Sequence, residues 1–321
     1  MKRLFKYIAI VALAAISFDA SAQKTYRELQ QISSLNRGVY GLLSMQDGEH
    51  YTVNRAGAIL RYAYADAEQC DTLYKGSFAS YAFSPAEDMI ILGNNYRPVY
   101  RHSSYVDYKI VRLSDKSEVD ALNDIRDLSF SPDSKMVAFA KQNNLYVAPL
   151  GGEPKAITTD GEWNKVINGT ADWVYEEEYG FTKAYAFSPD SKKIAYLRFD
   201  ESEVPMFEMM RFDGKLYNTP YTFKYPKAGD ANSKVELWLY DIASGSKTRI
   251  DTGSEIDQYI PFIEWTPAGE LYFFRINRKQ NRFEVVLCQN DGSQKVIYDE
   301  SSPKYVERPS LEIVIFIDGG R

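Results

Sequence analysis

Short apolar runs broken by turn residues recur along this chain at wide intervals. YAFSPAEDMIILGNN begins at Tyr81, DLSFSPDSKMVAFAKQNNLYV at Asp127, YAFSPDSKKIAYLRFD at Tyr185 and IEWTPAGELYFFRINR at Ile263. GLLSMQDGEHYTV at Gly41 is a degenerate copy, and VIFIDGG at Val314 reads as the opening of another. Each copy is an apolar strand, a Ser-Pro-Asp-Ser or Asp-Gly turn and a second apolar strand. Pro and Asp pre-set the turn while the alternating flanks bury one face, so each copy predicts a hairpin. With Ser44, Phe83, Phe130, Phe187, Trp265 and Phe316 as equivalent points, the spacings are 39, 47, 57, 78 and 51. That leaves room for about four short strands per unit, the size of a propeller blade.

The second half of each unit is also visible. NNLYVAPLGGEPKAITTDG (143–161) and VELWLYDIASGSKTRIDTG (235–253) each read strand, Gly-containing turn, strand, as an outer hairpin would. Helical periods are few, and aromatic residues make up 14% of the chain. The fold class predicted is all-β: an incomplete β-propeller of about five blades plus part of a sixth, with a short helical insertion near residue 175. The wide gap between Phe187 and Trp265 places an insertion around 200–233, where a loop that interrupts a blade is a natural carrier of function.

The N-terminus changes the picture of where the chain works. Lys2, Arg3 and Lys6 precede an apolar run from Tyr7 to Phe18, and Ala20-Ser21-Ala22 precedes Gln23. This is a secretory signal peptide over 1–22, too short for a membrane span, with the propeller region over 23–321. The location expected is secreted or periplasmic. Cleavage removes three positive charges and Asp19, so the formal net charge moves from −6 to −8. An acidic protein is a poor partner for nucleic acid or an anionic membrane, and a cationic ligand suits it better. Cys70 and Cys288 are too far apart in sequence to argue a bridge and are read as buried thiols. With only His50 and His102 as histidines, no metal or other cofactor is expected. Asn168-Gly-Thr has the form of a glycosylation acceptor.

The candidate chemistry lies in DWVYEEEYG, 172–180. Three consecutive glutamates are usually a solvated turn or helix start. Asp172 is a candidate N-cap, with acids in the first turns favourable to the helix dipole. On a short helix, neighbours are about 100° apart, so two adjacent glutamates can converge while the third turns away. Two carboxylates on one point suit an ammonium group through charge-assisted hydrogen bonds.

The string Asn168-Gly-Thr-Ala-Asp172-Trp173-Val-Tyr175-Glu-Glu-Glu178 resembles the double-glutamate motif of the dipeptidyl peptidase IV family. Three further stretches resemble the same family in the same order: Arg101-His-Ser-Ser-Tyr105, Phe199-Asp-Glu-Ser-Glu-Val-Pro205 and Tyr225-Pro-Lys-Ala-Gly229-Asp-Ala-Asn232. The family consists of secreted serine exopeptidases with an eight-bladed N-terminal propeller and a C-terminal α/β-hydrolase domain. The resemblance implies that Glu177 and Glu178 grip the free α-ammonium of a peptide. Arg101 would hydrogen-bond the carbonyl of the second residue, and Asp172, Trp173 and Tyr175 would be scaffold for the motif. An amine held at a fixed distance from a nucleophile makes a ruler, releasing Xaa-Pro or Xaa-Ala dipeptides. Family members often dimerise, which makes a homodimer of the intact enzyme a further expectation.

Hydrolysis of this kind needs a Ser on a G-x-S-x-G elbow with His and an acid. No G-x-S-x-G occurs in the 321 residues, and both histidines lie in early blades. The expectation is therefore a propeller part that gates and binds substrate, truncated before the hydrolase domain, with no catalytic residue of its own and no activity alone. The alternative is a stand-alone, non-catalytic propeller used for binding or scaffolding. A ring that ends inside a hairpin leaves an unpaired edge, which weighs against the alternative.

Overall fold

The computed structural model describes Tyr26 and residues 41–212, 214–289, 292–310 and 314–317. The signal-peptide reading of 1–22 lies outside the described residues. The chain divides into two units, Met1–Lys75 and Gly76–Arg321. The first holds one antiparallel sheet of four strands in sequence order: β1 (Leu43–Ser44), β2 (His50–Arg55), β3 (Ala58–Ala63) and β4 (Asp66–Lys75).

In the second unit, a seven-stranded antiparallel sheet comes first. It contains β5 (Ser80–Phe83), β6 (Met89–Pro98), β7 (Ser104–Arg112), β8 (Glu118–Phe130), β9 (Met136–Lys141), β10 (Asn144–Pro149) and β11 (Lys155–Ala156). It is two four-stranded blades sharing one long strand. The first part of β8 pairs with β7, and the part from Arg126 onward pairs with β9. The register shifts between Arg126 and Ser129, and Asp124 and Asp127 flank the passage with φ of 59° and 55°. A bulge of this kind bends a strand out of one sheet and into the next.

The next sheet joins β12 (Val166–Asn168), β14 (Lys193–Asp200), β17 (Lys234–Asp241) and β18 (Lys247–Ile250), with β13 (Tyr185–Phe187) also paired to β14. The insertion expected around 200–233 is a separate hairpin of β15 (Met206–Arg211) and β16 (Thr219–Lys224). The last sheet joins β19 (Gln258–Tyr259), β21 (Leu271–Asn277), β22 (Arg282–Cys288) and β23 (Gln294–Ser301), with β20 (Ile263–Trp265) also paired to β21. The fold is all-β and of the propeller class, with successive antiparallel blades and one helix, α1 (Trp173–Tyr179), among the described elements.

The repeated turn explains the regularity. In each Ser-Pro-x-x copy and its Thr-Pro variant the fourth residue takes the left-handed conformation: Glu87, Ser134, Ser191 and Gly269, with φ of 54°, 58°, 58° and 84°. Ser131 Oγ donates to Asp133 Oδ1 at 2.7 Å and accepts from the amide of Met136 at 3.0 Å, and Ser188 repeats this with Asp190 and Lys193 at 2.7 and 2.9 Å. The Ser closes the turn, Pro sets its first dihedral and Asp holds the Ser in place.

The strands after these turns are buried on both faces, not one. Met89–Gly93 is fully buried, as are four successive residues in each of β9, β14 and β21. Neighbouring blades cover both sides, so the run reads as continuously apolar where an open sheet would alternate. The blade contacts are explicit: Ala138, Leu145 and Val147 of one sheet pack on Tyr185, Ile194, Tyr196 and Tyr240 of the next. A second cluster runs from Val174, Tyr175 and Tyr179 of α1 to Phe273, Phe274 and Val286 of the last sheet.

The expected burial of both cysteines needs correction. Cys70 is exposed on β4 and Cys288 half-buried on β22, and both are free thiols. Asn168 is fully buried, and its Nδ2 donates to Asp160 Oδ1 at 3.0 Å, so the glycosylation-like triplet is a structural element of β12 with its amide already engaged. No helix among the described residues is long and apolar enough to cross a membrane, and no group of metal-ligating side chains is found there.

Candidate functional site

The glutamate run forms α1, a helix of seven residues. Asp172 caps its start, with Oδ1 accepting from the Tyr175 amide at 2.9 Å, and Gly180 ends it with φ of 74°. That left-handed residue satisfies the helix end at little cost only because it has no Cβ. Arg308, from the far end of the chain, donates to the Glu178 carbonyl, placing a cation on the negative end of the helix dipole.

Three anchors fix the helix. Tyr175 is 1% exposed, and its hydroxyl accepts from the Ile260 amide at 2.8 Å. Trp173 packs on Tyr225 with ring centroids 4.0 Å apart, which ties α1 to the YPKAG stretch. Asp172 Oδ2 accepts from Ser233 Oγ at 2.5 Å, just beyond that stretch.

The three glutamates then take three different environments. Glu176 points inward and is 0% exposed. Its Oε1 accepts from the amides of His102 and Ser103 at 2.6 and 2.9 Å, in the loop 99–103 between β6 and β7. Glu176 Oε2 is buried with no partner. Glu177 is half-buried and pairs with Arg101, whose Nε lies 3.1 Å from Oε1 and 3.0 Å from Oε2. Glu178 is exposed. The structure thus brings Arg101 and Glu177 together, with Glu178 next along the helix. The Arg101 side chain is 73% exposed, so this pair contributes little to stability.

The loop carrying Arg101 is held from below as well. Tyr221 Oη donates to the Val99 carbonyl at 3.1 Å, and Tyr100 packs against Trp163 and Phe223 at 6.2 and 5.6 Å. Two buried carboxylates lie beneath the site. Burial pushes Asp172 up to about 6 against the hydrogen bonds from Ser233 and the helix amides. Burial, reinforced by the charge of Asp172, pushes Glu201 up to about 8. Glu201 belongs to the FDESEVP stretch, so all four motif stretches meet around α1.

Sequence reasoning did not single out Glu176, Ser233, Glu201 or Arg308. The partners of Glu176 are backbone amides 74 and 73 residues away, and backbone donors carry no side-chain signature. Glu201 did lie within a quoted motif, but nothing in its neighbours marked it as buried.

The family model that matches is the dipeptidyl peptidase IV (DPP IV) N-terminal region, over residues 84–320. Dipeptidyl peptidase 4 of Trichophyton rubrum is 30% identical over 298 residues, covering 86% of this chain and 38% of that protein. Human prolyl endopeptidase FAP is 29% identical over 228 residues, covering 68% of this chain and 30% of that protein. Among solved structures, dipeptidyl peptidase 4 of Porphyromonas gingivalis superposes with a TM-score of 0.81 at 34% identity, over 87% of this chain and 42% of that one. A putative dipeptidyl aminopeptidase IV from Bacteroides ovatus shares the fold, with a TM-score of 0.63 at 21% identity, over 85% of this chain and 38% of that one. The chain spans less than half the length of each of these proteins.

Proposed function

The chain belongs to the dipeptidyl peptidase IV family through its N-terminal region, and on that premise we propose that it is the substrate-recognition part of a serine exopeptidase. In this reading Glu177 and Glu178 take the α-ammonium of a peptide, and Arg101 swings from Glu177 to the carbonyl of the second residue. Asp172, Trp173 and Tyr175 hold the helix in place. The bond-breaking groups lie outside these 321 residues, which contain no G-x-S-x-G elbow. The preference for Xaa-Pro and Xaa-Ala dipeptides, the gating of peptide entry and a secreted or periplasmic location belong to the same proposal.

The observation that supports it most is the contact of Arg101 with Glu177 at 3.0 Å, made across 76 residues of sequence. An exposed arginine paired to a half-buried carboxylate is a poor structural element but a ready exchange site. The incoming ammonium replaces the guanidinium on Glu177, and the freed guanidinium donates to the peptide carbonyl. An internal peptide bond has no ammonium to offer, so Arg101 can move to the peptide carbonyl only by leaving the carboxylate pair without a counter-charge.

The test is calorimetric titration of the chain with a short Xaa-Pro peptide and with its N-acetylated twin. The free-amine peptide should bind at least tenfold tighter, since losing one charge-assisted hydrogen bond costs about 1.5–3 kcal/mol. Glu177→Gln and Glu178→Gln should each erase most of that preference. Equal affinity for both peptides in the unaltered chain overturns the reading.

A further inference from the structure

The charged groups of the site come from two distant stretches of chain. Arg101 sits in the loop 99–103 between β6 and β7, while Glu177 and Glu178 sit on α1. The inserted hairpin touches both. Its strands β15 and β16 form a sheet of two, and a ribbon of that size is marginal in water, so its place is set by what it packs on.

Residues two apart on a strand share a face. Tyr221 and Phe223 do so on β16, and Tyr225 continues the row, its amide donating to the Pro205 carbonyl at 3.0 Å. At one end Tyr225 meets Trp173 of α1, with ring centroids 4.0 Å apart. In the middle Phe223 meets Tyr100, the neighbour of Arg101, at 5.6 Å. At the other end Tyr221 Oη donates to the Val99 carbonyl at 3.1 Å. Within the row the rings lie 6.1 and 5.4 Å apart, so packed contacts run unbroken from α1 to the loop. Lys224, between Phe223 and Tyr225, pins the strand to the neighbouring turn by donating to the Val204 carbonyl at 2.7 Å.

This row works as a splint. The Arg101 side chain is long and 73% exposed, so its reach is defined only as well as its loop is held. On a loose loop it would serve a carbonyl at several distances from the acids; on a held loop it serves one. We propose that β16 sets the spacing between Arg101 and the acids of α1, with Tyr221 and Phe223 as positioning residues that make the site select the ammonium-to-carbonyl distance of an α-amino terminus. The inference rests on the reading of α1 and Arg101 as a site for a peptide terminus, and adds what fixes its selectivity.

The probes are the isomeric peptides Ala-Pro-Ala and β-Ala-Pro-Ala, which carry the same charges but differ by one methylene between ammonium and carbonyl. Calorimetric titration of the unaltered chain should show the α-amino peptide binding about tenfold tighter, because the longer terminus takes one group off its partner. Tyr221→Phe deletes only the hydroxyl and should lower that ratio about fivefold, chiefly by weakening the α-amino peptide. Phe223→Leu should lower it as well. Thr222→Ala, exposed and on the opposite face of the strand, should leave it unchanged. A role confined to stability would lower the melting temperature or weaken both peptides alike, and the ratio would stay.

Phe223 is 4% exposed; should Phe223→Leu fail to fold, Tyr221→Phe, at a half-buried position, carries the test. Equal affinity of the unaltered chain for the two isomers overturns the proposal. So does a ratio unchanged in Tyr221→Phe, or one lowered as far in Thr222→Ala. If the unaltered chain still prefers Ala-Pro-Ala to its N-acetylated form, the ammonium site survives that failure; if it does not, both readings fall.

Discussion

Replacing Glu176 with alanine removes one acceptor from two backbone donors. Glu176 Oε1 takes the amides of His102 and Ser103 at 2.6 and 2.9 Å, and both bonds are charge-assisted. Such bonds contribute about 1.5–3 kcal/mol each. The two orphaned donors then fare differently. His102 is exposed and its amide can find water, whereas Ser103 is 3% exposed and its amide stays buried, costing about 1–3 kcal/mol. Part of the loss is recovered because the unpartnered Oε2 leaves the interior with the carboxylate. The net destabilisation expected is about 2–4 kcal/mol, read as a fall in the urea midpoint at unchanged slope. Glu176→Gln keeps an acceptor oxygen of the same reach and loses only the charge, so it should cost about 1 kcal/mol. The alanine variant should also weaken peptide binding, because Arg101 is carried by the loop it releases. An alanine cost below about 1 kcal/mol, or a glutamine variant as damaged as alanine, refutes the claim that Glu176 fastens this loop.

Three further outcomes are expected. Asp172 and Glu201 have folded-state pKa values of about 6 and about 8, above those of the unfolded chain, so the native state holds extra protons. Stability should be greatest near pH 4–5 and decline as pH rises through 6 and then 8; Glu201→Gln should flatten the upper step in urea titrations, and a profile rising over that range contradicts the assignment. Arg101→Ala should change stability by less than about 1 kcal/mol, because the Arg101 side chain is 73% exposed, while lowering peptide affinity; a large loss in thermal melts would make it structural. Gly180→Ala should cost about 1–2 kcal/mol through the left-handed backbone alone, since a Cβ there meets nothing within 4 Å, and an unchanged melting temperature would show that the helix ends elsewhere.

The blades were legible because Ser-Pro-Asp-Ser is a local device. Its hydroxyl, ring and carboxylate close a turn without help from the rest of the chain, and the apolar runs on either side need only a face to bury. The start of α1 was legible for the same reason, as Asp172 caps it through a contact three residues away. What escaped is non-local. The continuity of β8 through two sheets depends on left-handed Asp124 and Asp127, residues that tolerate that conformation without announcing it. The inward turn of Glu176, the buried pair Asp172 and Glu201 and the helix-end contact of Arg308 arise from chain segments that meet only on folding. The exposure of Cys70 follows from its place on β4, which periodicity around one residue does not reveal. Family resemblance singled out this helix, while the different environments of its three acids are a property of the packing.

The central claim is that α1 and Arg101 receive the charged beginning of a peptide. A crystal structure of the chain with a bound free-amine Xaa-Pro peptide tests it most directly. The peptide nitrogen is expected within about 3 Å of carboxylate oxygens of both Glu177 and Glu178, with Arg101 moved from Glu177 onto a peptide carbonyl. A peptide bound with its amine in solvent, and Arg101 still paired with Glu177, would contradict it.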